Sequence, residues 1–327
     1  MLSSLTEEIA PEFSRIRGWL NTGPLTMAGL RGRVVLLDFW TFSCVNCVRT
    51  LPHMKQLHMM YSGEKFVLVG VHTPEFEFEK KPENVADAVK RFRIEYPVAI
   101  DSENATWQLY GNQYWPRQTL VDAEGRIRWE HAGEGDYDEM EEKIRELLKE
   151  AGTASAGRMA NPGPSDQEGS RTFGHKITGE TYLGSLRSDG FGNGQVCVPG
   201  NCSEYVDPGK HSDDLPYFSG AWTQFPEYVM HETTEPGYAV LKYEARNANA
   251  VLGALKMNSV MVQVELDGKP ISKEKAGADV QWDSKGSFLH VKENRLYDIV
   301  RARDYENHEL KLITNANDLC LYTYTFG

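Results

Sequence analysis

The run Val34-Val35-Leu36-Leu37-Asp38-Phe39-Trp40-Thr41-Phe42-Ser43-Cys44-Val45-Asn46-Cys47 decides how the rest of the chain is read. Its opening residues are almost wholly apolar, the pattern of a strand buried on both faces. A CxxC pair follows. Beyond it Val48, Leu51, Met54, Leu57 and Tyr61 recur at spacings of three and four, the stripe of an amphipathic helix. Pro52 lies inside that helix and should bend it. Strand, cysteine pair and helix in this order put Cys44 at a helix N-terminus, where unpaired amides and the macrodipole favour negative charge. The thiolate is the attacking species in disulfide exchange. Cys44 is therefore the expected nucleophile, and Cys47, one turn on and more buried, the expected resolving thiol. Two intervening residues keep the sulfurs within bridging distance.

Outward from this run, strand and helix alternate. Phe66-Val67-Leu68-Val69-Gly70-Val71 reads as a second buried strand, residues 82–95 as a helix, 97–100 as a brief strand and 104–111 as a short helix. Residues 117–121 and 126–131 read as a hairpin closed by Asp122-Ala123-Glu124-Gly125. Tyr137, Met140, Ile144, Leu147 and Leu148 share one face of a last helix over 136–150. This is an α/β unit with helices on both sheet faces, over residues 1–152. Residues 153–170 are rich in Ala, Gly, Ser and Pro and read as a linker. From 171 to 327 the period is two. Val260, Val262, Val264 and Leu266 alternate with Met261, Gln263 and Glu265, and residues 238–244, 295–301, 309–314 and 319–325 are further strands. With no helix beyond 170, this half is expected to be an all-β sandwich, jelly-roll-like. Residues 188–214 form a long polar loop.

At 327 residues, length alone suggests about two domains. A formal net charge of −12 repels a phosphate backbone and speaks against nucleic-acid binding. Five cysteines are too few for a disulfide scaffold. The first eight residues have neither the basic start nor the apolar centre of an export signal. The chain is thus read as cytoplasmic, or as a piece whose upstream membrane or export segment lies outside it.

Asp38-Phe39-Trp40-Thr41-Phe42-Ser43-Cys44-Val45-Asn46-Cys47 resembles the thioredoxin superfamily. The resemblance implies a buried carboxylate at Asp38, beneath the pair, whose pKa burial would raise so that it relays the proton of Cys47. It also implies a cis-proline at Pro116, beside the dithiol, where its backbone docks a substrate chain. The insertion before Pro116 is similar to the TlpA and redoxin branch. Together Phe39 to Cys47, Val71-His72-Thr73-Pro74-Glu75-Phe76 and Tyr110-Gly111-Asn112-Gln113-Tyr114-Trp115-Pro116 resemble the soluble C-terminal region of DipZ-type proteins, which joins a thioredoxin-like domain to a β-sandwich likened to carbohydrate-binding modules. That implies protein disulfide substrates, a membrane electron donor of the DsbD/CcdA type, an extracytoplasmic place in the cell envelope, no cofactor, and a glycan or protein ligand for the β domain. Trp40, Glu75 and Trp115 are the expected supporting residues. Ser43 before the first cysteine, Val45-Asn46 between the pair and Trp115 before the proline depart from the common pattern, and the last two of these places tune redox potential and partner choice.

Blander readings compete. A CxxC can be half a zinc site, but the only other close pair, Cys197 and Cys202, falls in the other domain, so no metal is assigned. Those two cysteines read as a structural disulfide in an exported protein and as thiols in the cytoplasm. Cys320 reads as a buried small hydrophobe. His53 and His58 read as solvated, and His72 and Glu75 as an acid or base behind the dithiol or as solvated loop residues. Tyr217, Phe218, Trp222, Phe225, Tyr228, Trp282, Tyr322 and Tyr324 read as core before sugar platform. Thr41-Phe42-Ser43-Cys44, with Arg117, also permits a thiol peroxidase, although Leu37 stands where peroxiredoxins need proline.

Overall fold

A computed structural model describes residues 8–63, 65–153, 176–194, 200–255 and 259–327, without the Cys202 side chain. The linker expected over 153–170 falls outside these except for Thr153. The expected Cys197–Cys202 disulfide also lies outside them. Contacts divide the chain into two compact units, Met1–Arg171 and Thr172–Gly327.

The first unit runs β1 (Gly18–Leu20), β2 (Val34–Trp40), α1 (Val45–Tyr61), β3 (Phe66–His72), α2 (Pro82–Phe92), β4 (Val98–Ile100), α3 (Ala105–Leu109), β5 (Arg117–Val121), β6 (Ile127–Ala132) and α4 (Tyr137–Glu150). Its six strands lie in the order β1-β4-β3-β2-β5-β6. β2 pairs in parallel with β3 and antiparallel with β5. Every residue of β2 is buried, as its apolar run requires. Alternation along the strand sends Val35, Leu37 and Phe39 into a core with Val69, Val71, Trp107 and Tyr110, and Leu36, Asp38 and Trp40 to the opposite face. Register then sets Asp38 beside Gly70 of β3 and Gln118 of β5. Gly70 is where the backbone must admit large neighbours: a Cβ there would lie 3.0 Å from both the Trp40 indole and the Tyr96 ring. α1 starts directly after Thr41-Phe42-Ser43-Cys44, so the cysteine pair stands at the C-terminal end of the central strand.

The second unit contains β7 (Thr181–Tyr182), β8 (Cys202–Tyr205), β9 (Pro216–Gln224), β10 (Val229–His231), β11 (Gly237–Ala254), β12 (Val260–Leu266), β13 (Lys269–Pro270), β14 (Val280–Asp283), β15 (Gly286–Val291), β16 (Arg295–Thr314) and β17 (Leu319–Phe326). Among its described residues there is no helix. All eleven strands are hydrogen-bonded into one sheet. Most of their buried apolar side chains nonetheless fall in one core, with Phe218, Trp222, Leu252, Val262, Leu289, Leu312 and Tyr324 together. A single sheet can enclose one core only by folding on itself, and β11 and β16, of 18 and 20 residues, carry it round. Their register jumps from Ala245↔Glu306 to Asn247↔Arg301, leaving residues 302–305 unpaired with β11. This bulge explains why the sequence reads as two strands where the backbone forms one: Arg303-Asp304-Tyr305-Glu306 has no apolar alternation. Tyr217, Phe218, Trp222, Tyr322 and Tyr324 are buried core residues, whereas Trp282 keeps 39% of its surface. Cys320 is buried.

Candidate active site around Cys44 and Cys47

Cys44 is the N-cap of α1 and is half-buried, while Cys47 is fully buried, and both thiols are free. The Cys44 Sγ accepts the Cys47 backbone N–H at 3.4 Å and faces the Trp115 carbonyl oxygen at 4.0 Å. The Trp115–Pro116 peptide is cis. Trp115 is held on two sides. Its ring stacks on Trp107 with centroids 4.3 Å apart, and its indole N–H donates to the Thr73 carbonyl at 3.2 Å. The nucleophile candidate, the proline loop and the segment after β3 are thereby tied together.

Beneath the pair lies Asp38, with no exposed surface. Gln118 donates from Nε2 to Asp38 Oδ1 at 3.0 Å, and Oδ2 has no partner. Burial raises the Asp38 pKa to about 6 against the Gln118 hydrogen bond. Burial, the bond to Cys44, and the charges of Cys44 and Asp38 hold the Cys47 thiol well above its ordinary value. The Asp38 charge is thus felt at Cys47, and burial lets Asp38 keep a proton to a higher pH than an ordinary carboxyl. The buried Tyr96 hydroxyl belongs to this space too: burial, Asp38 and Cys47 all push it up.

The remaining expected residues are placed less directly. Trp40 is wholly buried, its ring edge-on to His72 at 5.3 Å; it packs the floor. Glu75 is half-buried, and its backbone N–H donates to Glu79 Oε2 at 2.7 Å. His72 is buried between the Trp40 and Phe42 rings, and burial lowers its pKa to about 3, so it is neutral. His53 is not solvated, as its helical spacing suggested, but 2% exposed. α1 turns it inward onto Tyr137, with centroids 4.4 Å apart, and burial lowers it to about 4. His58 is half-buried against Tyr96.

Sequence reading missed Glu79. This carboxylate is fully buried, in a 3-10 turn over Glu77–Lys80. It receives the Thr41 hydroxyl at 2.5 Å, the Ser43 hydroxyl at 2.7 Å and the Ser43 N–H at 3.1 Å. It also receives the N–H groups of Glu75 and Phe76 at 2.7 and 3.1 Å. A glutamate at the third position of a turn, able to reach back to the turn's first N–H, was the available signal.

Residues 6–148 match the family model Redoxin, and residues 178–327 match the model Thioredoxin like C-terminal domain. Residues 6–148 are thus a redoxin-type domain, as their thioredoxin-like motif implied. The redoxin part and the β unit also occur together in a relative: 264 residues are 35% identical to Protein DipZ of Mycobacterium bovis, covering 80% of this chain and 37% of DipZ. A match of that length runs past the redoxin part, and this chain spans well under half of that relative. Over 141 residues the chain is 28% identical to the Thiol-disulfide oxidoreductase YkuV of Bacillus subtilis, covering 43% of this chain and 94% of YkuV. A Chlorobium tepidum crystal structure described as a putative thiol:disulfide interchange protein DsbE aligns over 43% of this chain and 96% of its own, at 28% identity and a TM-score of 0.39. No helix among the described residues is long and apolar enough to cross a membrane.

Proposed function

We propose that the chain is a thiol–disulfide oxidoreductase that exchanges disulfides with proteins through Cys44 and Cys47. One observation carries this reading: a half-buried thiol at a helix N-cap stands beside a fully buried one, its Sγ 3.4 Å from the other's backbone N–H. In the reducing direction the Cys44 thiolate attacks one sulfur of a partner disulfide and the other sulfur leaves as a thiolate. Cys47 then gives its proton to Asp38 and attacks Cys44 Sγ, and the second partner sulfur leaves. Two electrons pass to the partner and Cys44–Cys47 becomes a disulfide. Each turnover therefore needs a dithiol donor to restore the pair. A membrane electron donor of the DsbD/CcdA type and extracytoplasmic disulfide substrates fit that need and the likeness to DipZ.

The peroxidase alternative is less well supported. The Thr41 hydroxyl donates to Glu79, and Arg117 is held by Glu130 at 2.5 Å and the Gly111 carbonyl at 3.2 Å. Among the described residues of the β unit no row of exposed rings offers a sugar platform, and we assign that unit no ligand.

Insulin-disulfide reduction tests the reading. Cys44→Ser should abolish it, and Cys47→Ser should accumulate a mixed disulfide through Cys44. Full activity in Cys44→Ser would end the proposal. The reduction potential of the pair sets direction: about −270 mV belongs to a reductase, about −120 mV to an oxidant.

A further inference from the structure

Glu79 joins two stretches of chain that are far apart in sequence. Its Oε1 holds Thr41 and Ser43, the residues leading into Cys44. Its Oε2 holds the backbone of Glu75 and Phe76, the turn after β3. Three of the five donors are backbone N–H groups, which cannot turn round to accept. A proton on either oxygen would face at least one of them, so the ionised carboxylate is the form that satisfies all five. Ser43 is bonded directly to Cys44. The orientation of that peptide decides whether Cys44 Sγ meets the Cys47 N–H and the Trp115 carbonyl.

We propose that ionised Glu79 is the positioning residue of the Cys44 thiol: it fixes the segment that presents Sγ at the start of α1, and protonation of Glu79 releases that segment. This rests on Cys44 being the nucleophile. The arrangement also makes the site sensitive to pH. Burial and the charge of Glu75 raise Glu79 to about 7, against the hydrogen bonds from Thr41, Ser43 and Glu75. The groups facing it are few. From the turn comes Glu75. From β3 comes His72, whose Nε2 lies 3.4 Å from the Thr41 hydroxyl and which stays neutral throughout this range. Phe76 and Phe78 do not titrate. Lys80 and Glu77 pair with each other on the exposed side of the same turn.

A glutamine at position 79 separates positioning from bulk. It has the same shape but only one accepting oxygen. If that oxygen keeps the Glu75 and Phe76 amides, the new NH2 group meets the Thr41 and Ser43 hydroxyls, which can rotate to accept, and the Ser43 N–H, which cannot. Glu79→Gln therefore frees the Ser43 N–H, in the peptide before the Ser43–Cys44 link, and leaves the rest of the turn bonded.

The test is the rate of Cys44 carbamidomethylation by iodoacetamide in the reduced full chain, read by mass spectrometry from about pH 5 to 9. The wild type should rise in two steps, one from Glu79 near neutrality and one from the thiol. Glu79→Gln should lose the first step and react about tenfold more slowly on the alkaline side. Thr41→Val, which removes one donor at nearly constant shape, should move the Glu79 step up by about half a pH unit; it decides the matter if Glu79→Gln does not fold. Profiles that superimpose on the wild type, or a Glu79→Gln protein that reacts as fast or faster, overturn the inference. If wild-type Cys44 reacts no faster than free cysteine, it is the nucleophile reading that fails.

Discussion

Asp38 in the redoxin unit and His211 in the β unit are both enclosed titratable side chains, and their surroundings differ in kind. Asp38 has one hydrogen bond, from Gln118, and one oxygen with no partner. His211 has a carboxylate on each ring nitrogen, Asp207 and Glu309, both at 2.8 Å, and Asp207 is itself held by the Tyr238 hydroxyl at 2.5 Å. Burial lowers the His211 pKa, but the bonds to Glu309 and Asp207 outweigh it and the net change is upward. The fold thus penalises the charge on Asp38 and welcomes the charge on His211. Around the dithiol the penalised kind gathers: Asp38, Glu79, Cys47 and His72 are all pushed toward their neutral forms by burial. Such groups exchange protons when a neighbour reacts, whereas a fully partnered one fastens structure. The comparison sets a group suited to proton exchange against one suited to fastening structure.

The sharpest way to break it is Asp38→Asn. If Asp38 takes the Cys47 proton, resolution of the mixed disulfide should slow by about a hundredfold near pH 7, read as the lifetime of the Cys44-linked intermediate. The same variant should be more stable. The native Asp38 pKa is about 6 and its ordinary value 3.8. A carboxyl raised in the folded state binds its proton more tightly there, so stability falls as pH rises between those values. By pH 7 the loss approaches about 3 kcal/mol. Asp38→Asn should recover up to that amount at pH 7 and almost nothing near pH 4, measured by hydrogen exchange of the β2 amides. A variant that is slower and also less stable at pH 7 would make Asp38 a structural group like His211.

The sequence made one of these environments legible and hid the other. The dithiol could be read because its determinants are contiguous: strand, pair and helix start lie within fourteen residues, whereas Asp38 and Pro116 were legible through the resemblance to thioredoxins. Glu79 could not. It lies in Glu75-Phe76-Glu77-Phe78-Glu79-Lys80-Lys81, where every charge looks solvated, and only the turn over Glu77–Lys80 sends this carboxylate inward while Glu77 stays out. His53 was hidden similarly: its burial depends on α4 delivering Tyr137, a contact across 84 positions of sequence. In the β unit the alternation of β12 was plain, but the joining of two apparent strands into β16 depends on partners in β11 that no local pattern states.

His211→Gln probes the other side of the comparison, with a smaller effect of opposite sign. The histidine's pKa is raised on folding, so its contribution is fully present below its unfolded pKa and lost as pH rises through the folded value. Replacing it should cost about 1–2 kcal/mol near pH 6, the scale of a hydrogen bond to a charged group, and less near pH 9. Hydrogen exchange of the β11 amides would report this, and equal losses at both pH values would show that the imidazolium is not what Asp207 and Glu309 hold.

Smallest should be Lys143→Ala. Lys143 and Glu146 pair at 2.8 Å on α4, with 40% and 46% of their side-chain surfaces exposed. Each shifts the other's pKa in the direction that favours the pair, yet water competes for both charges and holding two long side chains costs entropy. The change should stay under about 0.5 kcal/mol and vanish at about 1 M salt, where screening acts within about 3 Å. The His211 effect should survive that salt, because its imidazole keeps only 6% of its side-chain surface exposed. If both effects faded together, enclosure would not be what distinguishes the two kinds of charge, and the weight placed on Asp38 would have to rest on kinetics alone.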